Sequence, residues 1–300
     1  MKTHSCYNKS EGMDRMKAYI KFMIAMLIFG SIGIFVKDIP LASEEIVFIR
    51  TLLGSIFLFF VLLISKQKLR WNLIRKNLPA LLCSGCVLAL NWMFLFMAYR
   101  YTTVSSATIL YYMAPLIVML LSPWLLKEKL TRNKMIGVAC AILGIICMNG
   151  IGFGGINPTK GFLFGFLSAI FYAVLMITNK KIHDLSGLET AFLQLTLATI
   201  VFFPYIAFHY TGTNSLSMLH IFKLLFIGIV HTGIAYYLYF SSLHKLSGQS
   251  IALCSYIDPA SALVFAVIFL HEPFGWIQCV GALLVLGGAA FGEYRKQEMR

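Results

Sequence analysis

Apolar residues gather in long runs that are separated by short polar connections. Ten runs of roughly 20 residues, the length that crosses a hydrocarbon core of ~30 Å as an α-helix, span 18–37, 45–65, 78–98, 103–126, 133–150, 161–180, 187–209, 219–241, 247–270 and 274–292. A membrane β-barrel would instead show short segments that alternate apolar and polar residues. The pattern therefore predicts an all-α, polytopic membrane protein with ten transmembrane helices, numbered here as helices 1–10.

The second half of the chain repeats the first at an offset of 144 positions. Residues 105–144 read SSATILYYMAPLIVMLLSPWLLKEKLTRNKMIGVACAILG, and residues 249–288 read QSIALCSYIDPASALVFAVIFLHEPFGWIQCVGALLVLGG. Aligned without a gap, the paired residues are Ser106 and Ser250, Tyr112 and Tyr256, Pro115 and Pro259, Glu128 and Glu272, Gly137 and Gly281, and Gly144 and Gly288. Such internal symmetry indicates a duplicated five-helix unit.

Composition supports a membrane protein, and charge gives its orientation. The chain is 59% hydrophobic and 12% charged, with a mean hydropathy of +0.80, whereas a soluble domain carries about 25% charged residues. The net charge is +13, yet 20 of the 25 Lys and Arg residues lie in the tails, connections and adjoining helix ends on the side of the N-terminus. Basic residues favour the cytoplasmic side. Both termini are therefore predicted to be cytoplasmic, and the charge does not indicate a nucleic-acid partner.

The same bias predicts that the two repeats are inverted relative to each other. Five helices per repeat is an odd number, so equivalent connections should lie on opposite sides of the membrane. The connection KEKLTRNK after helix 4 is basic, whereas its counterpart HEPFGW after helix 9 has no Lys or Arg. The predicted regions are a polar N-terminal tail (1–16) expected to be disordered, a first repeat (17–150, helices 1–5), a second repeat (160–292, helices 6–10) and a cytoplasmic C-terminal tail (293–300).

Two prolines and one carboxylate lie at membrane depth. Pro115 and Pro259 occupy the middles of helices 4 and 9, where each removes a backbone donor and favours a kink, so both are candidate hinges. Asp258 is the one carboxylate near the centre of a predicted helix, and such a charge is costly unless it is paired, hydrated or protonated. We interpret Asp258 as a substrate or proton-coupling residue. The alternative is a structural hydrogen bond at the kink.

Arg50 lies five residues into helix 2. We expect it to snorkel outward and pair with Glu44 or Glu45, and the alternative is that it binds a substrate carboxylate. Glu45, Glu128 and Glu272 lie at helix ends and are candidate gate residues.

Further candidates for substrate contact or coupling are polar or aromatic residues deep in the predicted helices: Asn91, Trp92, Tyr112, His231, Tyr236 and Tyr256. Aromatic walls suit flat organic solutes, although helix packing is the alternative for each residue. Glycines in helices 5 and 10 predict close packing as a scaffold or a homodimer contact. The sequence contains neither a phosphate-binding loop motif nor a metal-binding motif, so no cofactor is expected.

The doubled motif resembles the EamA family of the drug/metabolite transporter superfamily. The resemblance rests on a mid-helix Pro, a Glu at the helix end and a Gly-rich final helix, in both halves, and it covers residues 17–292. It implies a bacterial plasma-membrane carrier that exports amino acid-like metabolites or drugs through a central cavity between helices 1–4 and 6–9.

From these observations we predict a secondary-active carrier of small organic solutes that works by alternating access. Its partners would be the solute, the lipid bilayer and coupling protons. A passive facilitator or channel is the first alternative. An integral-membrane transferase is the second alternative. Such an enzyme needs several catalytic groups at one face, whereas this chain has a single acid near the centre of a predicted helix.

Overall fold

The structure, a computed structural model, describes residues 2–125, 132–149, 155–209, 216–243, 246, 254–273 and 275–293, and these contain helices and no strand. The first half contains α1 (Lys2–Gly30), α2 (Ile32–Val36), α3 (Ser43–Ile64), α4 (Trp71–Tyr101), α5 (Val104–Tyr111), α6 (Ala114–Leu125) and α7 (Arg132–Asn149). The second half contains α8 (Pro158–Asn179), α9 (Gly187–His209), α10 (Met218–Phe226), a π-helical segment (Ile227–Ile234), α11 (Ala235–Leu243), α12 (Ile257–Leu270) and α13 (Trp276–Glu293).

The N-terminal tail departs from the expectation of disorder, because α1 already begins at Lys2. No proline precedes Pro40, so no proline interrupts the first membrane helix as it continues toward the N-terminus.

By length and composition, six helices or helix combinations in the described part of the chain can cross a membrane: Met16–Val36, Ser43–Ile64, Trp71–Tyr101, Pro158–Asn179, Gly187–Phe208 and Met218–Ser242. Shorter apolar helices cover Val104–Val118, Met135–Gly144, Ile257–Leu270 and Trp276–Gly288. In hydrocarbon, a helix satisfies its own backbone hydrogen bonds. The described chain thus has the composition and regular structure of a multi-pass membrane protein.

Helices at equivalent positions of the two halves pack against each other in opposite directions. Between α3 and α9, the ring centroids of Phe48 and Phe203 lie 6.4 Å apart, and those of Phe59 and Phe192 lie 6.1 Å apart. Residue numbers rise along one helix as they fall along the other, so the pair is antiparallel. The offset of 144 makes α3 and α9 equivalent, so equivalent helices run in opposite directions.

The contact between α7 and α13 has the same symmetry. A Cβ atom built on Gly144 would lie 2.6 Å from the carbonyl oxygen of Gly281, and one built on Gly288 would lie 2.6 Å from that of Gly137. The offset exchanges these two contacts, which is the property of a two-fold axis. The four glycines therefore bring the backbones together inside one chain.

The remaining large helix contacts also cross between the halves. Helix α4 packs on α8, and α11 packs on α1, two pairs that the offset relates to each other. The halves are thus interlocked, and neither forms a separate core: the main core cluster includes Ile46, Val47, Trp92 and Phe96 from the first half together with Leu195 and Ile227 from the second.

Four of the apolar runs are irregular. The first is broken at Ser31, and the fourth at Tyr112 and Met113. Helix α12 starts after a turn at Tyr256, the repeat equivalent of Tyr112. The eighth run passes through the π-helical segment. Pro115 and Pro259 each follow the equivalent break by three residues, so the duplicated prolines coincide with duplicated breaks.

We predict that Gly288→Ala destabilises the folded protein, whereas Gly287→Ala does not. The added methyl of Gly288→Ala would meet backbone at 2.6 Å, whereas a Cβ on Gly287 has nothing within 4 Å. Overpacking of this kind costs about 1–3 kcal/mol. The measurement is the denaturation midpoint in detergent. Equal midpoints for the two variants would contradict the close contact of α7 with α13.

Candidate functional site

Polar and aromatic side chains from six of the predicted helices (1–4, 8 and 9) meet where the apolar runs are irregular. We call this group the central cluster; it consists of Ser31, Arg50, Trp92, Tyr112, His231, Thr232, Tyr236 and Asp258. Six of the eight predicted substrate or coupling residues belong to it. Its members are joined by direct contacts or by being neighbours in sequence.

Asp258 is bound by Tyr112, whose hydroxyl donates a hydrogen bond to its Oδ2. This contact joins α12 to the break that precedes Pro115. Gly30 packs on the same turn, since a Cβ there would lie 2.6 Å from the carbonyl oxygen of Asp258 and 2.0 Å from Ser261 Oγ. Only a glycine allows α1 to approach α12 so closely. The turn that carries Asp258 therefore packs beside the break at Ser31, and its carboxylate is bound at the break before Pro115.

His231 joins the break in the first run to the π-helical segment. It is fully buried, and its Nε2 lies 2.9 Å from Ser31 Oγ. The Ser31 hydroxyl already donates to the carbonyl oxygen of Ile28 at 2.8 Å, so the serine oxygen is expected to accept from Nε2–H. Rings of Phe35 and Phe226 meet the imidazole edge-on, at 5.1 and 5.4 Å.

Arg50 faces inward, so the expectation that it snorkels to Glu44 or Glu45 is wrong. The residue is 3% exposed, and its Nε donates to Thr232 Oγ1 at 3.1 Å. Its Cζ lies 3.7 Å from the centre of the Trp92 ring. Because a guanidinium is planar and weakly hydrated, it stacks on an indole better than an ammonium would. That contact and the packing of α3 on the π-helical segment hold it inside.

Thr232 shows why the backbone widens here. Its hydroxyl donates to the carbonyl oxygen of Ile227 five residues earlier, at 3.0 Å, and accepts from Arg50. Next to it, a Cβ on Gly54 would lie 2.4 Å from the Thr232 methyl carbon. The π-helical turn brings this threonine close to α3, and such turns are frequent at functional sites.

Aromatic rings line the rest of the cluster. Tyr236 meets Trp92 edge-on at 6.0 Å and Phe29 at 5.6 Å. Nearby, Tyr111 stacks on Tyr172 at 4.6 Å with nearly parallel rings. These surfaces suit a flat or apolar solute that also carries a polar group.

Two of the predicted candidates lie outside the central cluster. Asn91 is fully buried and donates to the carbonyl oxygen of Ser168 at 2.8 Å, while the Ser168 hydroxyl donates back to the carbonyl oxygen of Asn91 at 3.0 Å. This exchange fastens α4 to α8. Tyr256 packs against Leu116 and Ala141. These contacts join helices, and substrate contact by Asn91 or Tyr256 stays a prediction.

A second cluster of polar contacts joins three helix ends. We call it the Glu272 cluster; it consists of Lys37, Val104, Ser105 and Glu272. The Glu272 carboxylate accepts from the backbone N–H of Val104 at 2.7 Å and of Ser105 at 3.0 Å, and from Lys37 Nζ at 2.8 Å. A carboxylate is favoured at a helix N-terminus. Glu272 thus joins the end of α12 to the start of α5 and the end of α2.

Glu45 has a local role, and Glu189 repeats it at the equivalent position. Glu45 accepts from the backbone N–H of Ala42 at 2.8 Å, and Glu189 from that of Ser186 at 2.9 Å, so each carboxylate caps its own helix. Glu189 also pairs with Arg70 at 2.6 Å, and this contact raises the pKa of Arg70. The third gate candidate, Glu128, lies outside the described residues.

Sequence reasoning missed Ser31, Thr232 and Gly30. A signal existed for the first and last, since small residues interrupt the apolar run in the stretch FGSIGIF. Thr232 follows the predicted His231 directly, but its importance depends on the π-helical backbone, which side-chain pattern does not indicate.

A family model supplies the identification. The model described as the EamA-like transporter family matches the chain twice, over residues 16–150 and 159–291. The chain belongs to the EamA-like transporter family. The double match covers nearly the whole chain, and it agrees with the 144-residue offset.

Relatives of known sequence are transporters by name. The chain is 35% identical over 288 residues to "Uncharacterized transporter YxxF" of Bacillus subtilis (strain 168), a match covering 95% of this chain and 92% of that protein. It is 26% identical over 306 residues to "Uncharacterized transporter YetK" of the same organism, covering 95% and 89%. Family and relatives thus indicate a transporter and not an enzyme.

One solved crystal structure supports the fold. It matches with a TM-score of 0.67 over 93% of this chain and 98% of that one, at 19% identity. At this identity the likeness concerns the fold alone.

Proposed function

We propose that this EamA-family protein is a secondary-active carrier of small organic solutes that works by alternating access, with export of amino acid-like metabolites or drugs favoured. The observation that carries the proposal is the antiparallel packing of equivalent helices, α3 with α9 and α7 with α13. Two inverted halves can form one central site and open it to either side in turn.

The proposed topology has ten transmembrane helices with both termini in the cytoplasm. The distribution of Lys and Arg supports it, because the end that carries Lys66, Lys68 and Arg70 is basic and the end that carries Glu272 is poor in positive charge. In this orientation the Glu272 cluster lies on the extracellular side. The bacterial plasma membrane is the proposed location, in keeping with relatives from Bacillus subtilis.

The Glu272 cluster is the proposed extracellular gate. Its contacts join three helix ends that would have to separate before a solute leaves the central cluster toward that side. The breaks before Pro115 and Pro259 supply the hinges, because helix segments on either side of a break can tilt independently.

A homodimer stays a separate proposal. Since the glycines of α7 and α13 meet each other within one chain, it would use exposed residues such as Ile136 and Leu143.

Glu272→Gln is predicted to open the extracellular side more often. A neutral amide loses the ion pair with Lys37 and one of its two acceptors for backbone N–H groups, so the closed state is weakened. The measurement is the labelling rate of a cysteine at Ser261, beside the central cluster, by a membrane-impermeant maleimide in a background without native cysteines. The rate should rise several-fold.

Glu45→Gln is the matched control for that experiment, because this carboxylate caps only its own helix among the described residues. An unchanged rate in Glu272→Gln, or an equal rise in both variants, would remove Glu272 from the gate.

Reconstituted flux tests the function itself and the part that Asp258 has in it. We predict that proteoliposomes accumulate a solute from a screened panel against its gradient, and that an imposed pH gradient accelerates this. Asp258→Asn should abolish the acceleration, because an amide cannot exchange the proton. Asp184→Asn is the control, since Asp184 is exposed and its left-handed backbone (φ 63°) also suits asparagine.

Equilibration without accumulation would identify a passive facilitator instead. Chemical conversion of a lipid or solute without flux would identify a transferase. Retained pH dependence in Asp258→Asn would return that residue to a structural role at the kink.

A further inference from the structure

Arg50 is a buried cation that lacks a carboxylate partner within the described part of the chain. Among the described residues its side chain makes a single hydrogen bond, from Nε to Thr232, although a guanidinium has five N–H donors. None of the ion pairs among these residues includes it; they are formed by Lys37 with Glu272, Arg70 with Glu189 and Lys223 with Asp38. A buried charge without a counter-charge is costly.

Two acids that could be considered as partners, one in the central cluster and one on the same helix, make other contacts. Asp258 is bound by Tyr112, and Glu45 caps its own helix. Trp92 covers one face of the guanidinium at 3.7 Å, and Phe96 lies 5.4 Å away. These rings stabilise the cation without neutralising it. The terminal amino groups, which form the bidentate edge of the side chain, are left for another partner.

We propose that Arg50 binds the carboxylate of the transported solute, whose apolar or aromatic body lies against Trp92 and Tyr236. This assignment rests on the proposed carrier function and names its substrate class, a small organic monocarboxylate. A planar carboxylate matches the two parallel N–H groups of the terminal edge. Thr232 fixes the guanidinium through Nε, so its orientation is set before the solute arrives.

Comparison of the two halves shows that the buried arginine belongs to one half only. The equivalent of Arg50 in the second half is Gln194, which donates to Asn179 Oδ1 at 2.6 Å. The cation therefore exists on one side of the pseudo-symmetric site only. A solute with one carboxylate would bind in one orientation, with its acid end toward the π-helical segment.

The experiment uses Trp92 as its own reporter. Replacement of Trp71, Trp124 and Trp276 by Phe leaves one tryptophan in the full-length chain, and the guanidinium stacks directly on it. The probes are acetate and phenylacetate, each against its uncharged amide, at ionic strength held constant with chloride. Both acids should produce a saturable change in Trp92 fluorescence, with phenylacetate binding more tightly.

The amides should bind at least about ten-fold more weakly, as expected for the loss of one charge-assisted pair. Arg50→Gln should lose the response to acids by a similar factor, and Arg50→Lys should restore part of it, because lysine keeps the charge and lacks the fork. Arg75→Gln removes an exposed arginine and should leave the response unchanged. The melting temperature of each variant in detergent establishes that it is folded.

Equal binding of acid and amide would overturn the assignment. So would a folded Arg50→Gln variant that responds to acids as the wild type does, whether or not Arg50→Lys does the same. The absence of any response to carboxylates in the wild-type reporter would overturn it as well. The proposed function fails on a different observation: a reconstituted protein that accumulates no solute is not a secondary carrier, whatever Trp92 reports.

Discussion

A chain in hydrocarbon has to satisfy its backbone hydrogen bonds from within, and this constraint determines where the protein departs from the α-helix. The departures at Ser31, Tyr112 and the π-helical segment all face other helices. Each is compensated locally: the Ser31 hydroxyl donates to Ile28, the backbone N–H of Met113 to Leu110, and the Thr232 hydroxyl to Ile227. Irregular backbone and polar side chains therefore occur together, in the central cluster.

Symmetry and asymmetry divide the work between structure and chemistry. The features that the two halves share are the breaks before Pro115 and Pro259 and the capping carboxylates Glu45 and Glu189, and these shape helices. The features that one half alone has include Arg50, whose counterpart is Gln194, and Asp258, whose counterpart is Ala114. Charge thus distinguishes the two sides of a site whose framework is nearly two-fold.

The sequence was sufficient for the class of fold and for much of the cluster. Long apolar runs indicate membrane helices because burial and helix length follow directly from hydropathy, and rare polar residues inside them indicated Asp258, Tyr112 and His231. It was insufficient for Arg50, whose orientation depends on Trp92 from another helix. It also did not indicate that Asn91 bonds to Ser168, because a single sequence does not show which helices become neighbours.

The central claim is that the two repeats are inverted, and cysteine accessibility tests it most directly. In a variant without native cysteines, single cysteines are placed at Gln67 and at the 80% exposed Met218, which lie in equivalent connections of the two halves. Intact cells are treated with a membrane-impermeant maleimide. Inversion predicts that position 218 reacts in intact cells and that position 67 reacts only after the cells are permeabilised. Reaction of both positions from the same side would contradict it.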